Sequence, residues 1–302
     1  MQVPDNSTHW TPENKTSSAM FGICIILGIP GNLAVVVVII TRVKKKSYTL
    51  QLILNLAVSD IICLLTIPLW INNHLNGWNL GKSACRFFVV VLYVSVVSNL
   101  LTVTLMSVQR YVHVLYPHIW AKLGRRGEMA LLISLWMISL VFSGPYFLIY
   151  KAGENECELI SSGDGRLLVL CSETILCFIF PFLIMLIFYL RLYKKVKQKT
   201  FFRHQRMTKM VICILVIFFV VWCPYHVFNL VEIAAIMLRF SYQHTSEKVL
   251  DFVHHHRRIV EGFAAFNTCV NPFLYAFSFR NLCRKHKRTE KENSVTKGST
   301  EI

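Results

Sequence analysis

The sequence predicts an all-α membrane protein, a bundle of seven transmembrane helices, and three observations carry that prediction. Of the 302 residues 54% are hydrophobic and only 16% charged, too apolar for an ordinary water-facing surface. Seven apolar segments each reach the roughly 20 residues that a helix needs to cross a bilayer core, and a helix satisfies its own backbone hydrogen bonds there. The basic residues gather on alternate connections instead of spreading along the chain.

Residues 1–18 are polar and carry the acceptor sequons Asn6-Ser7-Thr8 and Asn14-Lys15-Thr16, so Asn6 and Asn14 are expected to bear glycans on an extracellular N-terminus. No basic leader precedes an apolar core, and no signal peptide is expected. The spans follow at Ala19–Thr41, Tyr48–Ile71, Phe87–Gln109, Met129–Tyr150, Leu167–Leu190, Met210–Leu238 and Ile259–Phe279, giving a membrane domain over residues 19–279 and a cytoplasmic segment over 280–302. With the N-terminus outside, the inner connections and tail hold 23 of the 32 Lys and Arg residues and the outer ones 9. That bias sets the orientation and suits a multi-pass protein of the plasma membrane. The net charge of +16 invites a nucleic-acid partner, but no recognition motif accompanies it. Because the basic residues flank spans, anionic inner-leaflet lipid is the expected partner of that charge.

Topology sorts the ten cysteines. Cys24, Cys63, Cys171, Cys177, Cys213, Cys223 and Cys269 lie within spans, where small packing residues are common. Only Cys85 and Cys157 lie outside, and an isolated pair in an oxidising setting predicts one disulfide. Cys283, beside Arg280, Arg284 and Lys285 just inside the last span, suits palmitoylation, with an unmodified thiol as the alternative.

Position within a span converts to depth at about 1.5 Å per residue. Asn32, Asp60, Asn99 and Asn271 each lie well into their spans and share one level near the midplane. A carboxylate there is costly without partners, so Asp60 should face inward with these amides and with Asn267, one turn from Asn271. The cluster offers oxygen ligands to a small cation, or forms a purely structural hydrogen-bond network. Six spans contain a proline: Pro30, Pro68, Pro145, Pro181, Pro224 and Pro272. Each removes a backbone hydrogen bond and permits a bend, and Trp222-Cys223-Pro224-Tyr225 and Asn271-Pro272-Phe273-Leu274-Tyr275 read as hinges.

These residues, in this order, resemble the rhodopsin-like G-protein-coupled receptors. The resemblance runs from Gly31-Asn32 through Leu56-Ala57-Val58-Ser59-Asp60, Trp78 before Cys85, Trp136, Pro181 with Tyr189, and Phe218 before Trp222-Cys223-Pro224, to Asn271–Tyr275. It implies a sodium site at Asp60, Asn99, Asn267 and Asn271, and transmission elements at Phe218 and Trp222. It also implies that Arg110, Tyr189 and Tyr275 rearrange to admit a G protein, and that a short amphipathic eighth helix runs from Phe279 to about His286. Where the family usually has an acidic residue before the arginine, this chain reads Gln109-Arg110-Tyr111. Gln109 can accept a hydrogen bond from the guanidinium but supplies no charge, and Phe201–Lys209 offers no acid either. Raised basal signalling is expected, with packing alone as the competing way to hold the inactive state.

Within the class the chain is most similar to leukotriene B4 receptors and neighbouring chemoattractant receptors. That similarity rests on Glu173–Leu183 and on the run Trp222–Glu232, which contains Pro224-Tyr225-His226-Val227. It implies a lipid chemoattractant, or failing that a peptide, as agonist, an inhibitory-type G protein as partner, and a Glu173 that meets a ligand hydroxyl. Val89 and Val97 depart from it, standing where the leukotriene receptors carry polar residues. An acidic lipid needs an apolar slot, hydroxyl partners and a basic group. The candidates are Tyr93, Tyr146, Phe147 and Phe263; His226, Asn229 and Glu173; and Arg86, Lys151, Arg239, Arg257 and Arg258. His254, His255 and His256 project about 100° apart on a helix and cannot alone make one tetrahedral metal site, so no cofactor is expected beyond sodium.

Other functions fit less well. A transporter would show internal repeats, an opsin a lysine within Ile259–Phe279, and an enzyme a motif such as His-Glu-x-x-His; none occurs. A receptor that binds without coupling stays open because of Gln109. The tail residues Thr289, Ser294, Thr296, Ser299 and Thr300 lie in a polar segment expected to be disordered, phosphorylated and bound by arrestin.

Overall fold

The structure is a computed structural model that describes residues 10–42, 47–152, 157–159, 163–197, 205–239 and 241–273. Nine helices, α1 Pro12–Arg42, α2 Tyr48–Asn76, α3 Gly81–Leu115, α4 Pro117–Ser143, α5 Tyr146–Ile149, α6 Gly163–Thr174, α7 Phe180–Lys197, α8 Gln205–Leu238 and α9 Gln243–Ala265, account for most of the described residues. α4 with α5 makes the fourth span, and α6 and α7 make the fifth through a π-helical turn at Ile175–Ile179 just before Pro181. Residues 267–273 continue α9 as helix. Six of the seven spans are long and apolar enough to cross a membrane within the described residues, and the apolar part of the seventh runs on beyond them.

The expected spans stand, but their ends do not. α1 starts at Pro12 instead of Ala19, the fifth span at Gly163 instead of Leu167, and α9 at Gln243 instead of Ile259. Hydropathy marks where lipid begins, whereas the helices run on into water with polar faces. In that extension His255 Nε2 meets Glu13 Oε1 at 2.9 Å, and Arg258 Nη1 donates to Asn14 Oδ1 at 2.7 Å. A β-hairpin, β1 Tyr150–Ala152 against β2 Cys157–Leu159, follows the fourth span and was not anticipated.

Two apolar clusters fill the bundle. One surrounds Leu52, Leu56, Leu100, Met106, Met185 and Phe218; the other, at the disulfide end, holds Phe21, Leu64, Trp70, Trp78 and Val89. Large side chains on the outer faces, such as Ile26, Leu65, Ile133, Val141 and Val220, stay exposed, as membrane helices packed in lipid require. Gly28 lets α1 and α2 touch: a Cβ there would sit 2.7 Å from Leu64 Cδ1. Gly124, at φ +59°, marks the kink in α4, a positive-φ backbone conformation that glycine adopts without strain.

One expected modification is corrected. Asn14 is only 4% exposed, and its Nδ2, the atom a glycan would occupy, donates to His74 O at 2.9 Å. Asn6 lies outside the described residues. Deglycosylation of the cell-surface protein should therefore shift its gel mobility in wild type and in Asn14→Gln but not in Asn6→Gln. A lost shift in Asn14→Gln alone would reverse the assignment.

Candidate functional site

At the disulfide end the helices part around a cavity of about 360 Å³, in the range of small-molecule pockets. Its walls are mostly apolar, with Phe21, Ile67, Trp70, Val89, Leu92, Val97 and Val169 among the lining residues. The Cys85–Cys157 disulfide, with Cα atoms 5.7 Å apart, ties the hairpin over it. Asn73 fastens the same loop, its Oδ1 accepting from Cys157 N at 3.0 Å. This holds Tyr150 at the cavity, its hydroxyl 3.5 Å from that of Tyr93.

Glu173 lies at the centre of the polar wall, 6% exposed. It accepts from Tyr146 Oη at 3.0 Å, Tyr225 Oη at 3.1 Å and Asn229 Nδ2 at 3.3 Å. Tyr146 stacks on Tyr93 with ring centroids 3.5 Å apart, and His226 stacks on Phe178 at 4.4 Å. Toward the mouth, one buried carboxylate joins three helices. Glu232 on α8, 1% exposed, takes Arg166 Nε of α6 at 2.5 Å and Arg257 Nη2 of α9. Arg257 Nη2 also reaches Asn229 Oδ1 at 3.1 Å. Both arginines line the cavity, whereas Glu232 sits behind them.

Of the expected ligand residues, Glu173, His226, Tyr93, Arg257 and Arg258 line this cavity. Asn229 and Tyr146 stand behind it and position Glu173. Four expectations are corrected. Arg86 lies over the Phe147 ring at 5.5 Å and donates to Tyr150 O, outside the cavity, and Phe147 itself is exposed. Phe263 packs on Phe266, and Arg239 is exposed beyond the end of α8. Lys151 is in β1, its side chain outside the described residues. The three histidines diverge: His254 lines the cavity, His255 meets Glu13, and His256 Nδ1 lies 3.0 Å from Phe252 O. Arg166 and Glu261 line the cavity without having been singled out. The spacing of seven residues that sets Arg166 two helical turns before Glu173 was the available signal.

Below the cavity lies the midplane cluster. Asp60, fully buried, accepts from Asn99 Nδ2 and, at 2.9 Å, from Asn271 Nδ2. Asn267 Nδ2 donates to Asn99 Oδ1 at 3.3 Å. Asn32, expected at the same level, bonds instead to Gly28 O and Thr268 O. A pocket of about 20 Å³ adjoins Asp60, Ser95, Asn99 and Asn267, large enough for one water-sized guest. Carboxylate, amide and hydroxyl oxygens are the donors a small hard cation takes, so these residues fit one. Phe218 and Trp222 line both this pocket and the large cavity.

At the opposite end Arg110 is buried, and its Nε and Nη2 find no partner among the described residues. Gln109 does not hold it: the Gln109 Oε1 accepts from Thr49 Oγ1 at 3.3 Å, tying α3 to α2. Tyr189 is part-buried on α7, while Tyr275, Cys283 and the expected eighth helix lie outside the described residues.

Seven membrane helices, a disulfide-tied hairpin over a ligand-sized cavity and a buried polar core define a heptahelical receptor. The family model described as "7 transmembrane receptor (rhodopsin family)" matches residues 31–275, and the chain belongs to that family; it is a receptor and not an enzyme. Among its relatives are the leukotriene B4 receptor 1 of Homo sapiens, 30% identical over 88% of this chain and 77% of the relative. The type-1 angiotensin II receptor A of Xenopus laevis is 28% identical over 88% and 76%. The C3a anaphylatoxin chemotactic receptor of Danio rerio is 27% identical over 95% and 79%.

Proposed function

We propose that the chain is a plasma-membrane receptor for leukotriene B4 or a related acidic lipid chemoattractant, with its disulfide end outside, signalling through an inhibitory-type G protein. One observation carries this reading: Arg166 lines the same largely apolar cavity as Glu173, two helical turns before it. Its Nε is taken by Glu232, and its guanidinium makes no other hydrogen bond among the described residues. That is the fork geometry a carboxylate accepts. A carboxylate such as Glu173 accepts about four hydrogen bonds, and protein donors supply three. The remaining lone pair suits a ligand hydroxyl. Relatives named for leukotriene B4 and for an anaphylatoxin support the chemoattractant class. A peptide agonist is the second reading, favoured by Glu261, which lines the cavity with no hydrogen bond among the described residues and would take a cationic side chain.

Leukotriene B4 should raise the unfolding temperature of the purified receptor, and its methyl ester should do so far less. Equal shifts with the two compounds would remove the carboxylate from the argument.

Asp60 with Asn99, Asn267 and Asn271 is read as a sodium site, and Trp222 as the lever between it and the ligand. The fit supporting this is the small pocket that Trp222 shares with the cavity above. Sodium in place of potassium should stabilise the agonist-free receptor, and Asp60→Asn should erase the difference; a sodium effect that survives would reduce the cluster to a structural network.

At the G-protein end Gln109 leaves Arg110 without a charged restraint. Gln109→Asp places a carboxylate beside it and should lower basal signalling about fivefold, the effect of roughly 1 kcal/mol between charges in a high-dielectric setting. Unchanged basal output would assign the inactive state to packing. Glycosylation at Asn6, palmitoylation at Cys283 and arrestin binding to a phosphorylated tail complete the proposal.

A further inference from the structure

Two arginines in one cavity wall share a single buried acid, and that ratio of charges says which anion the wall accepts. Arg166 and Arg257 both line the cavity, and Glu232 joins them from behind at 1% exposure. Glu232 uses one oxygen for each, so its charge is divided between two helices. The donors left over on the cavity lining are the two Nη groups of Arg166, whose Nε alone bonds among the described residues; Arg257 Nε is fully buried, with no partner among the described residues. Arg257 Nη2 is already committed to Glu232 and Asn229. The three-residue unit thus carries one net positive charge, with the Nη groups of Arg166 unfilled. Other acids press on the same volume. Glu261 lies one turn along α9 from Arg257, and Glu173 two turns along α6 from Arg166. Arg258, the remaining cation of the wall, is engaged by Asn14.

We propose that Glu232 is a specificity-determining counter-ion: by leaving the Arg166–Arg257 pair with a single uncompensated charge, it makes the cavity select a monoanionic head group, a carboxylate, over a dianionic one such as a phosphate monoester. This rests on the acidic-lipid reading above. A carboxylate adds one negative charge against the one left over, and its planar fork matches the Arg166 Nη pair. A phosphate dianion brings a second negative charge into a wall that already holds Glu232, Glu261 and Glu173. Removing the charge of Glu232 while keeping its shape favours the dianion over the monoanion, whatever the absolute affinities become. That double difference isolates the counter-ion role from simple positioning, because lost positioning weakens both ligands.

The test uses the full-length receptor in lipid nanodiscs and two probes of equal chain length, a long-chain fatty acid and the matching alkyl phosphate. Affinities come from the concentration dependence of thermal stabilisation, at a pH where the phosphate is doubly ionised. Wild type should prefer the carboxylate, and Glu232→Gln should shift the carboxylate-to-phosphate affinity ratio at least tenfold toward the phosphate, the size expected for one unit charge about 12 Å away at an effective dielectric near 20, and more if it is nearer. Glu232→Asp, which keeps the charge, should hold the wild-type ratio. Should Glu232→Gln fail to fold, Arg257→Gln serves, since it takes the unit from one net positive charge to none and should shift the ratio toward the carboxylate. A ratio unmoved by these variants, with both probes bound, overturns the counter-ion role and leaves the acidic-lipid reading intact. If neither probe stabilises wild type, the acidic-lipid reading fails and this inference falls with it.

Discussion

Replacing Arg166 with Gln should shift the agonist response at least a hundredfold to higher concentration while surface expression stays near wild type. The loss corresponds to roughly 3 kcal/mol, the upper end for hydrogen bonds to a charged group. Folding should survive because Glu232 keeps its second partner, Arg257, and so is not left as an unpaired buried charge. Arg86→Gln is the control. Arg86 was a candidate in the sequence where Arg166 was not, yet it lies over Phe147 outside the cavity and should leave potency unchanged. Dose–response curves at matched surface expression check both. A potency loss in Arg86→Gln equal to that in Arg166→Gln would move the anion site to the hairpin.

Cys85→Ser should abolish the agonist response and cut surface expression severalfold. The bridge closes a loop of 72 residues, and losing a native disulfide typically costs about 2–5 kcal/mol. Here the loss is local as well as global. The hairpin would keep Asn73 as its polar fastening, but Tyr150 would no longer be fixed against Tyr93 and the cavity roof would loosen. Flow cytometry for surface level, with ligand binding on the remaining receptor, separates the two effects. Full binding by the surface fraction would limit the disulfide to folding.

Much of this architecture was legible in the sequence because a bilayer imposes a one-dimensional rule. Apolar length gave the seven spans, and depth along them brought Asp60, Asn99, Asn267 and Asn271 together, as the structure shows. Cys85 and Cys157 paired once topology isolated them. The helix ends were hidden because hydropathy reports lipid and not helix: Pro12–Ser18 and Gln243–Arg258 are polar helix held by contacts such as Arg258 to Asn14. The same blindness made Asn14 look like a free sequon.

The candidate site was half legible. Glu173 and His226 came from local runs, but the roles of Arg166, Glu232 and Arg257 depend on α6, α8 and α9 converging, with partners 66 positions apart in one pair and 25 in the other. No local pattern encodes that meeting. Arg86 shows the converse, since a basic residue near the outer end of a span is equally free to lie over an exposed aromatic ring. Gln109 was read correctly as a missing charge, but its bond to Thr49 needed the packing of α2 on α3.

The central claim is that this chain turns an acidic lipid signal into inhibitory G-protein signalling. The direct measurement is inhibition of cyclic AMP, with and without pertussis toxin, in cells expressing the chain and challenged with leukotriene B4, other eicosanoids and chemotactic peptides. The account predicts a toxin-sensitive response to leukotriene B4 or a related eicosanoid that Arg166→Gln removes; silence to every lipid at full surface expression, or a response to peptides alone, would contradict it.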